Sequence, residues 1–266
     1  MKCLGLIGGI GWESTASYYR LINQEVRNRF GSLHSARLLV DSLEFQQLDT
    51  LVREQRWNDA GRLLAGSAAT LERAGAQAVL VCSNLMHFVA GHVEAAISVP
   101  LLHVGDAVLG ELKNTRVTRI GLLGTRFTLE HGFLLNRPAL AKRRSPAPIE
   151  ILTPGTDACD QLDRIIYGEL CRGVVRDASR EVLLQLAAGL RKSGAQAIVL
   201  ASSELALLLK PDDFSLPLID TTEVHALAAV RWALGEIGAK PDFTRSHLTA
   251  TPGATVVKRS KIPPRA

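Results

Sequence analysis

Cysteine is scarce in this chain: Cys3, Cys82, Cys159 and Cys171 are the only four in 266 residues, and no two share a C-x-x-C spacing. That excludes the usual zinc-binding ribbons and a disulfide framework, and fits a reduced compartment. Long apolar runs are absent too. The opening stretch MKCLGLIGGIGWES has one lysine and only a few apolar residues before its glycines and Glu13, too short for a secretory signal or a membrane span. The expectation is a cytoplasmic protein with no membrane partner. A basic body is missing as well. The formal charge of +5 falls entirely after residue 239, where Lys240, Arg245, Lys258, Arg259, Lys261 and Arg265 outnumber the lone acid Asp242. Without a basic stripe on the folded body, nucleic acid is not indicated as a partner. Residues 239–266, carrying Pro252, Gly253, Pro263 and Pro264, read as a flexible basic tail.

What the sequence does contain is regular. Its 47% hydrophobic and 21% charged content is that of a folded globular chain. Apolar runs of strand length alternate with longer stretches of helical period, the pattern of an α/β protein whose parallel sheet is covered on both faces. The strands are expected at 3–9, 36–42, 78–83, 119–125, 149–154, 197–203 and 217–220. Helices are expected at 15–30, 57–75, 162–173 and 179–194.

The chain also repeats itself. LGLIGG returns as IGLLGT, GAQAVLVCSN as GAQAIVLASS and SVPLLHV as SLPLIDT, at offsets of 116, 119 and 117 residues. Spacing this steady over three blocks implies two copies of one βαβ arrangement. We place the first half at 1–115, the second at 116–221, and expect the helix at 222–238 to pack back on the first.

Ligands of open parallel sheets bind beyond the carboxyl ends of the strands. Here those ends are small and polar: GGIGWEST, CSNLMH, GTRFT, ASSE and DTTEVH. Hydroxyls and backbone N–H groups beside helix starts suit a carboxylate or phosphate. The loop Gly8-Gly9-Ile10-Gly11 speaks against a dinucleotide, because Ser14 stands where the fingerprint needs its third small residue and Asp41 comes late for the ribose. Ser14 and Thr15 instead offer a helix cap and first-turn donors to a carboxylate.

Several blocks together resemble the cofactor-independent aspartate/glutamate racemases: GLIGGIGWESTASYYRLIN, LHSARLLVDS, CSNLMH, PLLHVGDA, IGLLGTRFT, RIIYGELCRG, ASSELALLL and PLIDTTEVHA. The resemblance runs over residues 1–237. It implies two pseudosymmetric flavodoxin-like domains, each with a parallel sheet of about four strands, and an amino acid held in the cleft between them. It further implies a homodimer, no metal and no pyridoxal phosphate. One base on each face of the α-carbon removes the proton and the opposite conjugate acid returns one, which accounts for the duplication. A thiolate suits that task, since its pKa of about 8.5 is readily lowered towards operating pH.

In the family the first base precedes an Asn and the second a Thr-Glu pair. Here those slots hold Ser83, before Asn84, and Ser202, before Ser203 and Glu204. The repeat pairs the same positions independently, since the 119-residue offset carries Ser83 onto Ser202 and Cys82 onto Ala201. A branch of the family carries Thr in the first slot but keeps Cys in the second. A hydroxyl is no base without an activating partner, so two serines predict little racemase activity. Three readings stand: Ser202 replaces a cysteine by engineering, the protein has moved to another role, or Cys82 supplies a thiolate from a shifted register. The resemblance assigns the α-carboxylate and ammonium to Asn84 and Ser203, and places Thr125 and Thr222 on matching loops. It makes Arg126 and Arg164 candidates for a side-chain carboxylate. Leu85 replaces a polar Thr and removes one donor. His87 orients the first base or caps the following turn, and Glu204 steadies the second site or the substrate ammonium. The expected function is racemisation of aspartate, glutamate or a relative. The alternative is a non-catalytic amino-acid or dicarboxylate binder, with a one-thiol lyase using Cys82 as a third.

Overall fold

The computed structural model describes residues 1–112, 117–135, 149–236 and, by backbone alone, 259–261. Seven strands occupy the seven apolar runs: β1 (Leu4–Gly8), β2 (Leu38–Ser42), β3 (Ala78–Val81), β4 (Arg119–Leu123), β5 (Glu150–Thr153), β6 (Ala197–Leu200) and β7 (Leu218–Asp220). Helices α1 (Trp12–Phe30), α2 (Phe45–Arg53), α3 (Trp57–Arg73), α4 (Ala90–Ala96) and α5 (Val104–Leu112) fall in the first part of the chain. They are followed by α6 (Arg126–His131), α7 (Thr156–Gly168), α8 (Asp177–Lys192) and α9 (Thr221–Ala233). A short β8 (Arg259–Lys261) runs parallel to β5. The rest of the basic tail lies outside the described residues.

Two compact units result, one from Met1–Ala107 with residues 222–236, the other from Val108–Thr221 with β8. Their sheets have corresponding strand orders, β2-β1-β3 in the first and β7-β6-β4-β5-β8 in the second, all pairs being parallel. In each, the strand of the Gly-rich repeat is central, flanked by the next strand on one side and the GAQA strand on the other. The SVPLLHV copy contributes a single bridge, Leu101 to Val79, where its counterpart makes β7. α5 begins at Val104, three residues beyond that bridge, as α9 begins at Thr221, three residues beyond Leu218.

Burial explains why these runs are strands. β1 and β3 are buried at every position, as a strand covered on both faces must be, whereas the edge strand β2 is not. On one face α3 presents Ala60, Leu64, Ala68 and Leu71 at helical spacing to Ile7, Val79 and Val81. On the other, α1 contributes Tyr18, Ile22 and Val26, and α9 contributes Ala226, Ala229, Val230 and Trp232, around Leu4, Leu6, Ala78 and Leu80. α3 and α8 both end before a glycine at positive φ, Gly75 at 100° and Gly194 at 96°, and the chain then turns into the GAQA strand. The two GAQA strands thus arrive in matching registers, Leu4 opposite Ala78 and Ile120 opposite Ala197.

Candidate functional site

The last ladder bond of the first unit runs from the Cys82 N–H to the Ile7 carbonyl, 2.9 Å, and that of the second from the Ala201 N–H to the Leu123 carbonyl, 2.7 Å. Beyond each, the chain leaves the sheet and winds into a 3-10 turn, Leu85–Val89 in one unit and Ser203–Leu207 in the other. Ser83 and Ser202 sit at these exits, at corresponding places in their units.

At the first exit Ser83 is half-buried and Asn84 buried. The Met86 N–H approaches the Ser83 hydroxyl at 3.5 Å. His87 is committed to backbone: its Nε2 accepts from the Val104 N–H at 3.3 Å, so its Nδ1 carries the proton and donates to the Ser83 carbonyl at 2.7 Å. His87 therefore fixes the course of the chain at the tip without bonding to the Ser83 hydroxyl. Leu85 is half-buried and packs on the α3 side of the core. Cys82 is wholly enclosed among apolar groups, and burial pushes its thiol far above the usual range. The shifted-register reading, with Cys82 as thiolate, is thereby corrected: a thiolate there would lack both solvent and a cationic partner.

Behind this tip His87 meets buried rings that the motifs did not single out. His87 stands edge-to-face on His103 at 4.3 Å and on His225 at 5.6 Å between centroids. His225 Nε2 donates to the Leu102 carbonyl at 2.7 Å, which leaves Nδ1 to accept from the Tyr18 hydroxyl at 2.8 Å. His103 Nδ1 accepts from the Gly105 N–H at 3.0 Å. Burial lowers the pKa of His225 from 6.5 to about 4. The unfolded chain takes up a proton on this residue that the folded chain resists, so stability is unaffected above about pH 6.5 and falls as the pH drops towards about 4. Urea midpoints should decline across that window, and His225→Gln should flatten the decline while lowering the midpoint at neutral pH.

The glycine loop closes the same end of the sheet. Gly11 precedes α1, at φ 31°, so the cap expected at Ser14 lies three residues earlier, where only glycine accepts the turn. Ser14 and Thr15 are instead buried in the first turn, and Thr15 Oγ1 accepts from the Gly9 N–H at 2.9 Å.

At the second exit Ser202 is 5% exposed, and its hydroxyl donates to Glu204 Oε2 at 2.6 Å. Ser203 and Glu204 are half-buried. Thr125 caps α6, its Oγ1 accepting from the Thr128 N–H at 3.3 Å. Its side chain also bonds to the phenol of Tyr167. Although Tyr167 keeps 41% of its surface, desolvation of the phenol, followed by the charge of Asp163, raises its pKa and holds it neutral. Asp163 accepts from the Arg126 N–H at 2.8 Å, and burial raises its pKa. Thr125→Ala should lower unfolding free energy by about 1 kcal/mol through loss of the cap, read as a shift in urea midpoint.

The predicted residues thus divide. Ser83, Asn84, Leu85 and His87 share the first tip, with Ser14 on the neighbouring loop. Ser202, Ser203 and Glu204 share the second, and the charge of Glu204 reaches the phenol of Tyr167, the partner of Thr125. Thr222 is buried in the first turn of α9, beside Thr221, whose hydroxyl donates to the Leu200 carbonyl at 2.7 Å. Arg126 is engaged elsewhere: its guanidinium pairs with Glu130 at 3.1 Å and with Asp160. Arg164 is exposed on α7, its Nε donating to the Asp160 carbonyl at 3.3 Å. Tyr18, His103, His225 and Tyr167 escaped the sequence reading; the signal for all four was their presence inside matched blocks. Among the described residues no helix is long and apolar enough to cross a membrane, and no cluster of three or more His, Cys, Asp or Glu side chains is placed to hold a metal.

The profile of the Asp/Glu/hydantoin racemase family matches residues 7–229. Among solved structures, a candidate Asp/Glu racemase from Yersinia pestis is 41% identical, with a TM-score of 0.79, over 88% of this chain and 100% of its own. An aspartate racemase homologue from Pyrococcus horikoshii OT3 is 28% identical, with a TM-score of 0.75, over 88% and 100%. The aspartate racemase of Picrophilus torridus, 17% identical over 88% and 94% with a TM-score of 0.69, shares the fold.

Proposed function

The chain belongs to the Asp/Glu/hydantoin racemase family, and from that premise we propose that it exchanges the α-proton of an acidic amino acid, aspartate, glutamate or a close relative. The observation that carries this reading is the correspondence of the two exits. Ser83 and Ser202 each follow the last ladder bond of a GAQA strand, each opening onto a 3-10 turn. In this reading Ser83 and Ser202 are the two proton-transfer positions, Asn84 and Ser203 hold the substrate's α-carboxylate and ammonium, and the donors at the start of α1 take a further carboxylate. Racemisation follows when a proton leaves by one exit and returns by the other.

The two serines also favour a second reading. Neither exit offers an ionisable thiol, which suits a protein that binds an acidic amino acid and leaves it unchanged. Incubation of the native chain with each enantiomer of aspartate and glutamate in D2O separates the two. Loss of the α-proton signal supports exchange; binding by calorimetry without any loss, persisting when both serines are replaced by cysteine, supports the binder.

A further inference from the structure

Resting on that proton-exchange reading, we propose that Glu204 is the proton store of the second exit: Ser202 and Glu204 form a hydroxyl–carboxylate relay that replaces a thiolate. The Ser202 hydroxyl has a single proton, and the 2.6 Å bond commits it to Glu204 Oε2. A bond this short to a carboxylate is charge-assisted. Ser202 is 5% exposed, so little water competes for that proton. The extended backbone at Ser202, φ −148° and ψ 128°, followed at once by the 3-10 turn, brings the carboxylate two residues on back to the hydroxyl. The first exit is built otherwise. Ser83 receives the Met86 N–H at 3.5 Å, and among the described residues no carboxylate is bonded to it.

The step balances within these groups. The Cα–H bond breaks and its electron pair stays on the α-carbon, delocalised into the substrate carboxylate. The proton goes to Ser202 Oγ as the hydroxyl's own proton passes to Glu204 Oε2. Reversal returns a proton to the same face. Because only the second exit holds such a store, the enantiomer whose α-proton faces it exchanges with retention faster than it inverts. Glu204 acts through Ser202, as a positioning and proton-holding residue.

The test compares deuterium incorporation at Cα, by 1H NMR, with inversion, by chiral chromatography, for both enantiomers of aspartate and glutamate. Glu204→Gln, checked for native circular dichroism, should lower exchange on the order of 10²-fold. In the Ser202→Cys background the same change should not lower exchange, because a thiol ionises without an acceptor and a neighbouring carboxylate disfavours its charge. That difference in sign is the signature of the relay. Equal losses in both backgrounds would assign Glu204 a structural role and overturn the proposal. Unchanged exchange in Glu204→Gln, or exchange that appears only once Ser202 is Cys, would overturn it as well while leaving the family reading intact. Absence of exchange in every form, including the Ser83→Cys/Ser202→Cys double variant, would instead remove the underlying reading.

Discussion

Replacing Ser202 by Cys is expected to raise the rate of α-proton exchange on aspartate or glutamate by on the order of 10²- to 10⁴-fold, the range that a well-matched general base contributes. The argument is one of ionisation. A thiol, with an ordinary pKa of about 8.5, reaches its basic form at working pH far more often than a hydroxyl does. Two local effects oppose the gain. Ser202 is buried, and desolvation raises a thiol's pKa, as it does for Cys82 in the first unit. Glu204, already within hydrogen-bond reach of this side chain, adds like-charge repulsion. Both effects reduce the thiolate fraction, but neither carries it down to that of a serine. The pH–rate profile of the variant should therefore rise on the alkaline side, and adding Glu204→Gln should move that rise to lower pH. A variant as slow as the native chain throughout would show that the second exit is not the proton-transfer site.

The largest loss of stability is expected at the glycine loop rather than in the hydrophobic core. Gly9 has a φ of 76°, and a Cβ built there would stand 2.0 Å from the Leu43 carbonyl oxygen and 2.5 Å from its nitrogen. Those atoms are backbone, and the Leu43 N–H is itself bonded to the Gly8 carbonyl at 3.0 Å, so the segment after β2 has no easy way to withdraw. Gly9→Ala combines left-handed strain with a backbone clash and should cost more than about 4 kcal/mol, in the range reserved for severe packing faults. Gly75→Ala supplies the comparison: φ is 100° there, but nothing lies within 4 Å of the added carbon, and strain alone should cost about 1–2 kcal/mol. Urea unfolding of both variants isolates the clash. Similar losses at the two glycines would mean that the loop yields, and that it is not the rigid frame of the first exit.

Much of this was legible in advance because it depends on local pattern. Strands β1 to β7 fall within the apolar runs, since a strand buried on both faces leaves a run of Val, Ile, Leu and Ala closed by Gly, Ser or Pro. The paired exits were legible for a related reason: a duplicated sequence implies a duplicated fold, and the offset that aligns GAQA with GAQA also aligns Ser83 with Ser202. The cap was misplaced because Ser14 has the preferred residue type, whereas the position is decided by a backbone angle that Gly11 alone accepts.

By itself, then, the order of residues determined the α/β class, the strand positions, the repeat and the two serines that follow its matching strands. Periodicity and local turn chemistry are properties of neighbours along the chain, and they survive translation into one dimension. Only the tertiary structure decided which polar groups are spoken for. Arg126 looked like a free cation until folding brought up Asp160 from α7. Tyr18 and His225 carried no mark in the sequence, and only the fold sets the phenol against His225 Nδ1 and the Leu102 carbonyl against its Nε2. A buried donor must find its acceptor wherever the packed chain puts one, and that distance has no counterpart in sequence separation.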